Sequence, residues 1–226
     1  MDAIPEISNY FMPFETALTE EQKTWLKGKI NIINYNTKEI LFKQGTRTSH
    51  IMFIIEGLVK IFKEGKNDKT HILGLSSRWE FIGLLSFFGH ELHQYSAATV
   101  EKTKVAMIES SAFRTLLAEN PTFGLQIIKT ISKEGLFIFE KLINQTYKQL
   151  PGRMADVMLY FSEVIYKSHT FTFPLTRKEL AELAGTTKES FIRTLTEFKN
   201  DKIINLDGSR VEIVNMDIIK TLHEIG

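Results

Sequence analysis

At 226 residues, with 43% hydrophobic and 24% charged side chains, the chain has the composition of an ordinary globular protein, long enough for one large domain or two modest ones. It contains no cysteine, which excludes disulfides, thiolate zinc sites, cysteine-ligated iron–sulfur clusters and a cysteine nucleophile. A net charge of +1 gives no general sign of a polyanionic partner. No apolar run approaches about 18 residues, and the opening Met1-Asp2-Ala3-Ile4-Pro5-Glu6 lacks a basic segment followed by an apolar one; a cytoplasmic protein with no membrane partner is expected.

Residues 14–30 read as a short helical lead-in, with a cap in Thr19-Glu20-Glu21-Gln22 and an apolar face of Trp25, Leu26 and Ile30. From about 31 to 109 the texture changes to short β-like runs punctuated by glycine, such as Glu39-Ile40-Leu41-Phe42, His50 to Ile55, Leu58 to Phe62 and Lys104 to Ile108. Many strands at this spacing predict a jelly roll or small barrel. Ser110 or Ser111 can cap a short helix, and Pro121 suits the first turn of a longer one over about 121–147. That helix is apolar around most of its circumference, including Ile128, Ile131, Ile138 and Leu142, so more than one face must be covered. One face can pack on the β-domain and another on the same helix of a second chain; a single buried helix in a monomer is the alternative.

Leu150-Pro151-Gly152 breaks the pattern and marks a boundary between domains over 1–148 and 149–226. A helix over 153–166 and a short strand at Thr170-Phe171-Thr172-Phe173 follow. The stretch from Leu175 to Leu195 then reads as two short helices joined by a tight turn. Thr176 with Glu179 forms a capping box at the first helix, and Thr186 with Glu189 repeats the pattern at the second. Gly185 stands where a helix-turn-helix needs a positive φ, and Ala181 is small enough for close crossing. Leu180, Ala184, Phe191 and Leu195 would bury the inner faces. Thr187, Lys188, Glu189, Ser190 and Arg193 fall on the second helix, where a recognition helix meets base edges. Lys202 to Leu206 and Val211 to Val214, around Asp207-Gly208, predict a hairpin that makes the motif a winged one, and residues 216–225 a closing helix. An ordinary helical hairpin has the same caps, but the small residues in register and the hairpin after them favour DNA. From residue 149 onward the chain carries 10 Lys+Arg against 11 Asp+Glu, so phosphate affinity must come from local placement of groups such as Arg177, Lys178, Lys188 and Arg193.

A β-roll, a long helix, a Gly-Arg-x-Ala hinge and a winged helix-turn-helix, in that order, resemble the cyclic-AMP receptor and fumarate–nitrate regulator (Crp/Fnr) family. The best-matched residues are Gly57-Leu58-Val59-Lys60, Phe81-Ile82-Gly83, Gly152-Arg153-Met154-Ala155 and Thr176 through Arg193. The resemblance covers nearly the whole chain. It implies an α+β protein, not an enzyme: a cyclic-nucleotide-binding-like roll, a dimerisation helix and a DNA-binding domain. It further implies a homodimer that reads a near-palindromic site in double-stranded DNA, contacts through Thr176, Arg177, Lys178, Thr187, Lys188, Glu189, Ser190 and Arg193, and RNA polymerase as a protein partner.

The family's cyclic-nucleotide site does not carry over. After Gly83 the family's ribose-binding Glu is Leu84 here, and its Arg-Ser-Ala is Tyr95-Ser96-Ala97. The adjacent Thr and Ser that contact adenine fall at Ile138 and Phe139, and Trp79 replaces a turn glycine. An anionic phosphate buried without a cation is unfavourable by several kcal/mol. The expected effector pocket is therefore degenerate, lined by Gly83, Leu84, Tyr95, Ser96, Ile138 and Phe139, with an unknown effector or none. Histidines at 50, 71, 90 and 93 leave a haem cofactor open, and a ligand-binding module that does not touch DNA is the competing class. There is no glycine-rich phosphate loop, His-Glu-x-x-His or Gly-x-Ser-x-Gly to suggest an enzyme.

Overall fold

The computed structural model describes residues 12–65 and 70–226. The described residues fall into two compact units, one holding residues 12–65 with Leu73–Leu136, the other Phe137–Gly226 with Thr70–Ile72.

In the first unit a short 3-10 helix, Met12–Ala17, precedes helix α1, Glu20–Lys27, which is entered through the Thr19–Gln22 capping box. Eight strands then form a β-roll: β1 (Ile30–Tyr35), β2 (Ile40–Phe42), β3 (His50–Glu56), β4 (Val59–Glu64), β5 (Thr70–Ser76), β6 (Phe81–Ile82), β7 (Ser96–Thr99) and β8 (Thr103–Glu109). They make two four-stranded sheets, ordered β1-β8-β3-β6 and β2-β7-β4-β5. Short helix α2, Leu84–Gly89, interrupts the second half, and α3, Ser110–Glu119, follows the roll.

The unbroken apolar run of β3 has a simple cause: both faces of its sheet are covered. Ile51, Phe53 and Ile55 join Leu26, Phe81, Phe113 and Phe123 in one core, on the side of the helices. Met52 and Ile54 join Phe42, Val59, Tyr95 and Val105 in a second core. The first core is built largely of phenylalanine, with Phe81 meeting Phe14, Phe53 and Phe113 at centroid separations of 5.0, 4.6 and 5.7 Å. Trp79 takes a left-handed φ of 74° where the sequence lacks the expected glycine. That conformation costs about 1–3 kcal/mol and persists only when its surroundings impose it. Here Trp79 N–H donates to Ile54 O and Ile54 N–H to Glu80 O, at 2.8 and 2.9 Å, while Arg78 covers the indole at 4.2 Å.

Helix α4, Pro121–Tyr147, is the long one. Its start is capped by Asn120, whose Oδ1 accepts from Phe123 N–H at 2.9 Å while its Nδ2 donates to Ala17 O at 2.6 Å. Phe123 and Ile127 are fully buried in the phenylalanine core. The expected Ser cap on α3 does not form: Glu109 stands at the cap without a side-chain capping bond, and Ser110 Oγ donates to Thr48 O instead.

In the second unit α5, Leu150–Leu159, carries Pro151 in its first turn, so Leu150-Pro151-Gly152 opens a helix rather than interrupting one. A Cβ on Gly152 would lie 2.6 Å from Gly226 Cα, a close approach that only glycine permits. The helix ends in a wide π turn, Tyr160–Ile165. Strand β9 (Thr170–Thr172), helices α6 (Arg177–Leu183) and α7 (Lys188–Asn200), hairpin strands β10 (Ile204–Asp207) and β11 (Arg210–Ile213) and helix α8 (Met216–Ile225) complete it. The hairpin register pairs Asp207 with Arg210, so the turn residues are Gly208 and Ser209, one position later than the Asp207-Gly208 expected from sequence. Asp156 on α5 gathers three partners. Asn144 Nδ2 donates to its Oδ2 at 3.0 Å, and Lys148 Nζ and His223 Nδ1 each lie 2.6 Å from its Oδ1. One carboxylate thus joins the end of α4 and helix α8 to α5.

Candidate nucleic-acid interface and effector cassette

Helix α6 begins at the Thr176–Glu179 capping box, with both reciprocal bonds present. It ends where Ala184 gives way to Gly185 at φ 64°. Thr186 N–H donates to Ala181 O at 2.9 Å and Gly185 N–H to Glu182 O at 3.1 Å, the paired bonds of a left-handed C-terminal cap. Thr186 belongs to that cap through its backbone, and the second helix is capped by Thr187, one residue later than expected. Thr187 Oγ1 accepts from Ser190 N–H at 3.2 Å, and Glu189 does not close a second capping box. Arg153 holds the junction, its Nε donating to Ala184 O at 2.9 Å and its Nη1 to Lys148 O at 2.6 Å.

Helix α7 buries Phe191, Thr194, Leu195 and Phe198 against the domain and leaves Lys188, Glu189 and Arg193 exposed on the opposite side. Arg193 makes only a loose, exposed contact of 4.0 Å with Glu197, too weak to hold it. Thr187 and Ser190 share a 3.1 Å hydroxyl bond at the helix start. Lys178 is 69% exposed, whereas Arg177 turns its guanidinium toward the hairpin and bonds Gly208 O at 2.5 Å. Sequence reasoning passed over Ile192, which is exposed on α7 and offers an apolar contact for a thymine methyl. An outward-facing position in the helical repeat was the signal that could have found it.

Within the first unit, Leu84 and Tyr95 go to different cores. Gly83, at φ 94°, precedes α2. Leu84 is buried in the phenylalanine core and Tyr95 in the other core, where it packs on Phe42 at 5.7 Å. Ser96 Oγ, fully buried, accepts from Gln44 N–H at 2.9 Å. Ile138 and Phe139 are exposed on α4. Burial raises the Tyr95 hydroxyl well above its ordinary pKa, and the charge of Glu134 adds to this, while bonds from Gly83 N–H and the Ser86 hydroxyl oppose it. Glu134 itself is pushed up to about 7 by burial and by Glu80, which burial raises as well. His93 stacks on Phe42 at 3.8 Å and is 3% exposed. Of the four expected dimerisation residues, Ile128, Ile138 and Leu142 are exposed, but Ile131 is half-buried against the phenylalanine core. Its face of α4 is already covered by the roll.

A cyclic nucleotide-binding domain model matches residues 32–120, and a Crp-like helix-turn-helix domain model matches residues 152–222. The chain belongs to the Crp/Fnr family. It is a Crp-like transcription regulator with a helix-turn-helix DNA-binding domain, and not an enzyme. It is 25% identical over 203 residues to the cAMP-activated global transcriptional regulator CRP of Salmonella typhimurium, a match that covers 86% of this chain and 95% of that one. Identity to the CRP-like cAMP-activated global transcriptional regulator of Mycobacterium tuberculosis is 22% over 192 residues, 83% of this chain and 86% of that one. Among solved structures, FixK2 from Bradyrhizobium japonicum superposes with a TM-score of 0.79 at 15% identity, over 85% of this chain and 96% of that one. The c-di-GMP responsive regulator CLP of Xanthomonas campestris gives 0.73 at 20% identity, over 86% and 99%. Among the described residues no helix is long and apolar enough to cross a membrane.

Arg193 can donate two parallel bonds to a guanine edge, so Arg193→Ala is expected to cost about 1–3 kcal/mol at the cognate site and to relax preference at one base pair per half-site. Lys178→Ala should weaken all sequences alike and flatten the salt dependence by roughly one contact. Binding isotherms on specific and random duplexes over a salt series separate the two; equal losses on both duplexes for Arg193→Ala would make it a phosphate contact.

A second prediction concerns Glu134. Below its unfolded pKa of 4.5 the carboxyl is protonated in both states; as pH rises the unfolded chain ionises first, and the folded chain follows only near pH 7. The folded state then holds the extra proton, so this group's contribution declines between those values. Glu134→Gln should therefore be more stable than the parent at pH 8, with the two converging toward pH 4.5. Thermal unfolding that shows the same pH dependence with Gln in place contradicts the reading.

Proposed function

We propose that the chain is a homodimeric, sequence-specific regulator that binds duplex DNA through α6, α7 and the β10–β11 wing, and that it does so without cyclic AMP. The observation that carries the second part is Tyr95. It stands where the family's phosphate-binding Arg would be, it is buried, and Gly83 N–H and Ser86 bond its hydroxyl. The tyrosine thus takes up donors at the start of α2, the element that follows the Phe-Ile-Gly motif. Nearby charge is negative, from Glu134 and Glu80, and an anionic phosphate entering there would meet carboxylates instead of a guanidinium. Leu84, in place of the ribose-binding Glu, lies within the core.

Dimerisation is supported by the exposed apolar length of α4, with Leu125, Ile128, Leu136, Phe139, Leu142 and Ile143 each at least half exposed. Two recognition helices would then read half-sites about one helical turn apart. Lys188 and Glu189 join Arg193 as the base-reading set. Lys188 gives looser discrimination than an Arg because an ammonium cannot fork, and Glu189 accepts from a cytosine amino group. Family membership supports RNA polymerase as the protein partner and the cytoplasm as the place of action. Haem forms no part of the proposal.

Protein freed of nucleotide should select a defined sequence from random duplex DNA, and its affinity for that sequence should not change when cyclic AMP is added. Calorimetric titration with cyclic AMP should give no binding heat. A micromolar dissociation constant, or selection that succeeds only with cyclic AMP present, overturns the effector part. Failure to select any sequence favours a ligand-binding module over a regulator.

A further inference from the structure

The tip of the wing is tied to the first helix of the helix-turn-helix by one side chain. Arg177 is the first residue of α6, directly after the Thr176 cap. Its guanidinium lies 5.5 Å from the centre of the Phe173 ring, and Nη2 donates to the carbonyl of Gly208 at 2.5 Å. Phe173 N–H donates to the next carbonyl of the same turn, Ser209 O, at 2.9 Å. Both carbonyls of the turn are therefore held from the segment that leads into α6. Gly208 adopts φ 55°, a left-handed conformation that glycine takes without strain, and its carbonyl accepts from Arg177. The other terminal nitrogen, Nη1, is buried and has no partner among the described residues. A phosphate cannot reach that nitrogen while the guanidinium keeps its bond to Gly208. Lys178, one residue on, is the exposed cation of this turn of helix.

We infer that Arg177 is a positioning residue, which fixes the Gly208–Ser209 turn against the start of α6 and so sets where the wing meets DNA, without itself contacting a phosphate. The inference rests on the DNA-binding reading above for its consequence, though not for its geometry. Lysine cannot replace arginine in this role: a point charge on a flexible stem lacks the planar fork and the stacking face that Phe173 receives. Methionine keeps an apolar stem over Phe173 and removes the charge.

Arg177→Lys and Arg177→Met separate the possibilities. In the DNA-free protein, the Phe173 amide should exchange about tenfold faster in both variants, as expected for loss of one charge-assisted hydrogen bond, while amides within α7 keep their wild-type rates. On a duplex recovered by selection from random DNA, both variants should lose about tenfold in affinity with the wild-type dependence on salt. The inference is overturned if Arg177→Lys binds as wild type while Arg177→Met shows a slope shallower by about 0.9, the signature of one lost phosphate contact. Faster exchange throughout α6, α7 and α8 would also overturn it, since Arg177 would then serve global stability. If wild-type protein binds neither the selected nor a random duplex, the DNA-binding reading fails, and exchange at Phe173 still decides whether Arg177 holds the turn.

Discussion

The structure turns on an apolar surface that one chain does not cover. Helix α4 spans 27 residues, roughly 40 Å, and the roll buries only its first turns through Phe123, Ile127 and part of Ile131. Beyond them Leu136, Phe139 and Leu142 are 68%, 65% and 60% exposed. Contiguous apolar surface of this kind is rare on a monomer and costs about 25 cal/mol for each Å² left in water. A second copy of the same helix is the cover proposed here. Pairing two α4 helices about a two-fold axis doubles everything attached to them, so a single recognition helix becomes two, related by the symmetry that a near-palindromic site shares.

The roll has the strands and cassette of a nucleotide sensor but a different interior. A nucleotide-binding cassette needs a cation for the phosphate and acceptors for the ribose, and those positions hold Tyr95 and Leu84, both buried. Tyr95 bonds within the cassette, and the neighbouring charges are the carboxylates of Glu80 and Glu134. DNA binding without cyclic AMP is then the simpler expectation, with any control exerted by a molecule unlike an anionic nucleotide.

The sequence made the DNA-binding half legible because its signals are local. Thr176 with Glu179, Gly185 and the apolar positions of α7 act within a few residues of chain, and each forms as the pattern predicts. Differences arise at element boundaries. Thr186 N–H closes the end of α6 and Thr187 caps the next helix; the Ser110 hydroxyl goes to Thr48, and α3 has no side-chain cap. Tertiary facts left no local trace. Nothing in the run Thr176-Arg177-Lys178 distinguishes the guanidinium held by Gly208 from the exposed ammonium beside it. The elevated carboxyl of Glu134 depends on burial and on Glu80, far away in the chain. Ile131 and Ile128 look alike in the helical repeat, yet the roll covers one and leaves the other in water.

The most direct test of the account is the mass of the protein in solution. Sedimentation equilibrium at micromolar concentration should give a dimer, and Leu142→Glu should give a folded monomer, because it places a charge on an apolar surface that only a second chain would bury. A wild-type protein that sediments as a stable monomer of 26.0 kDa would contradict it.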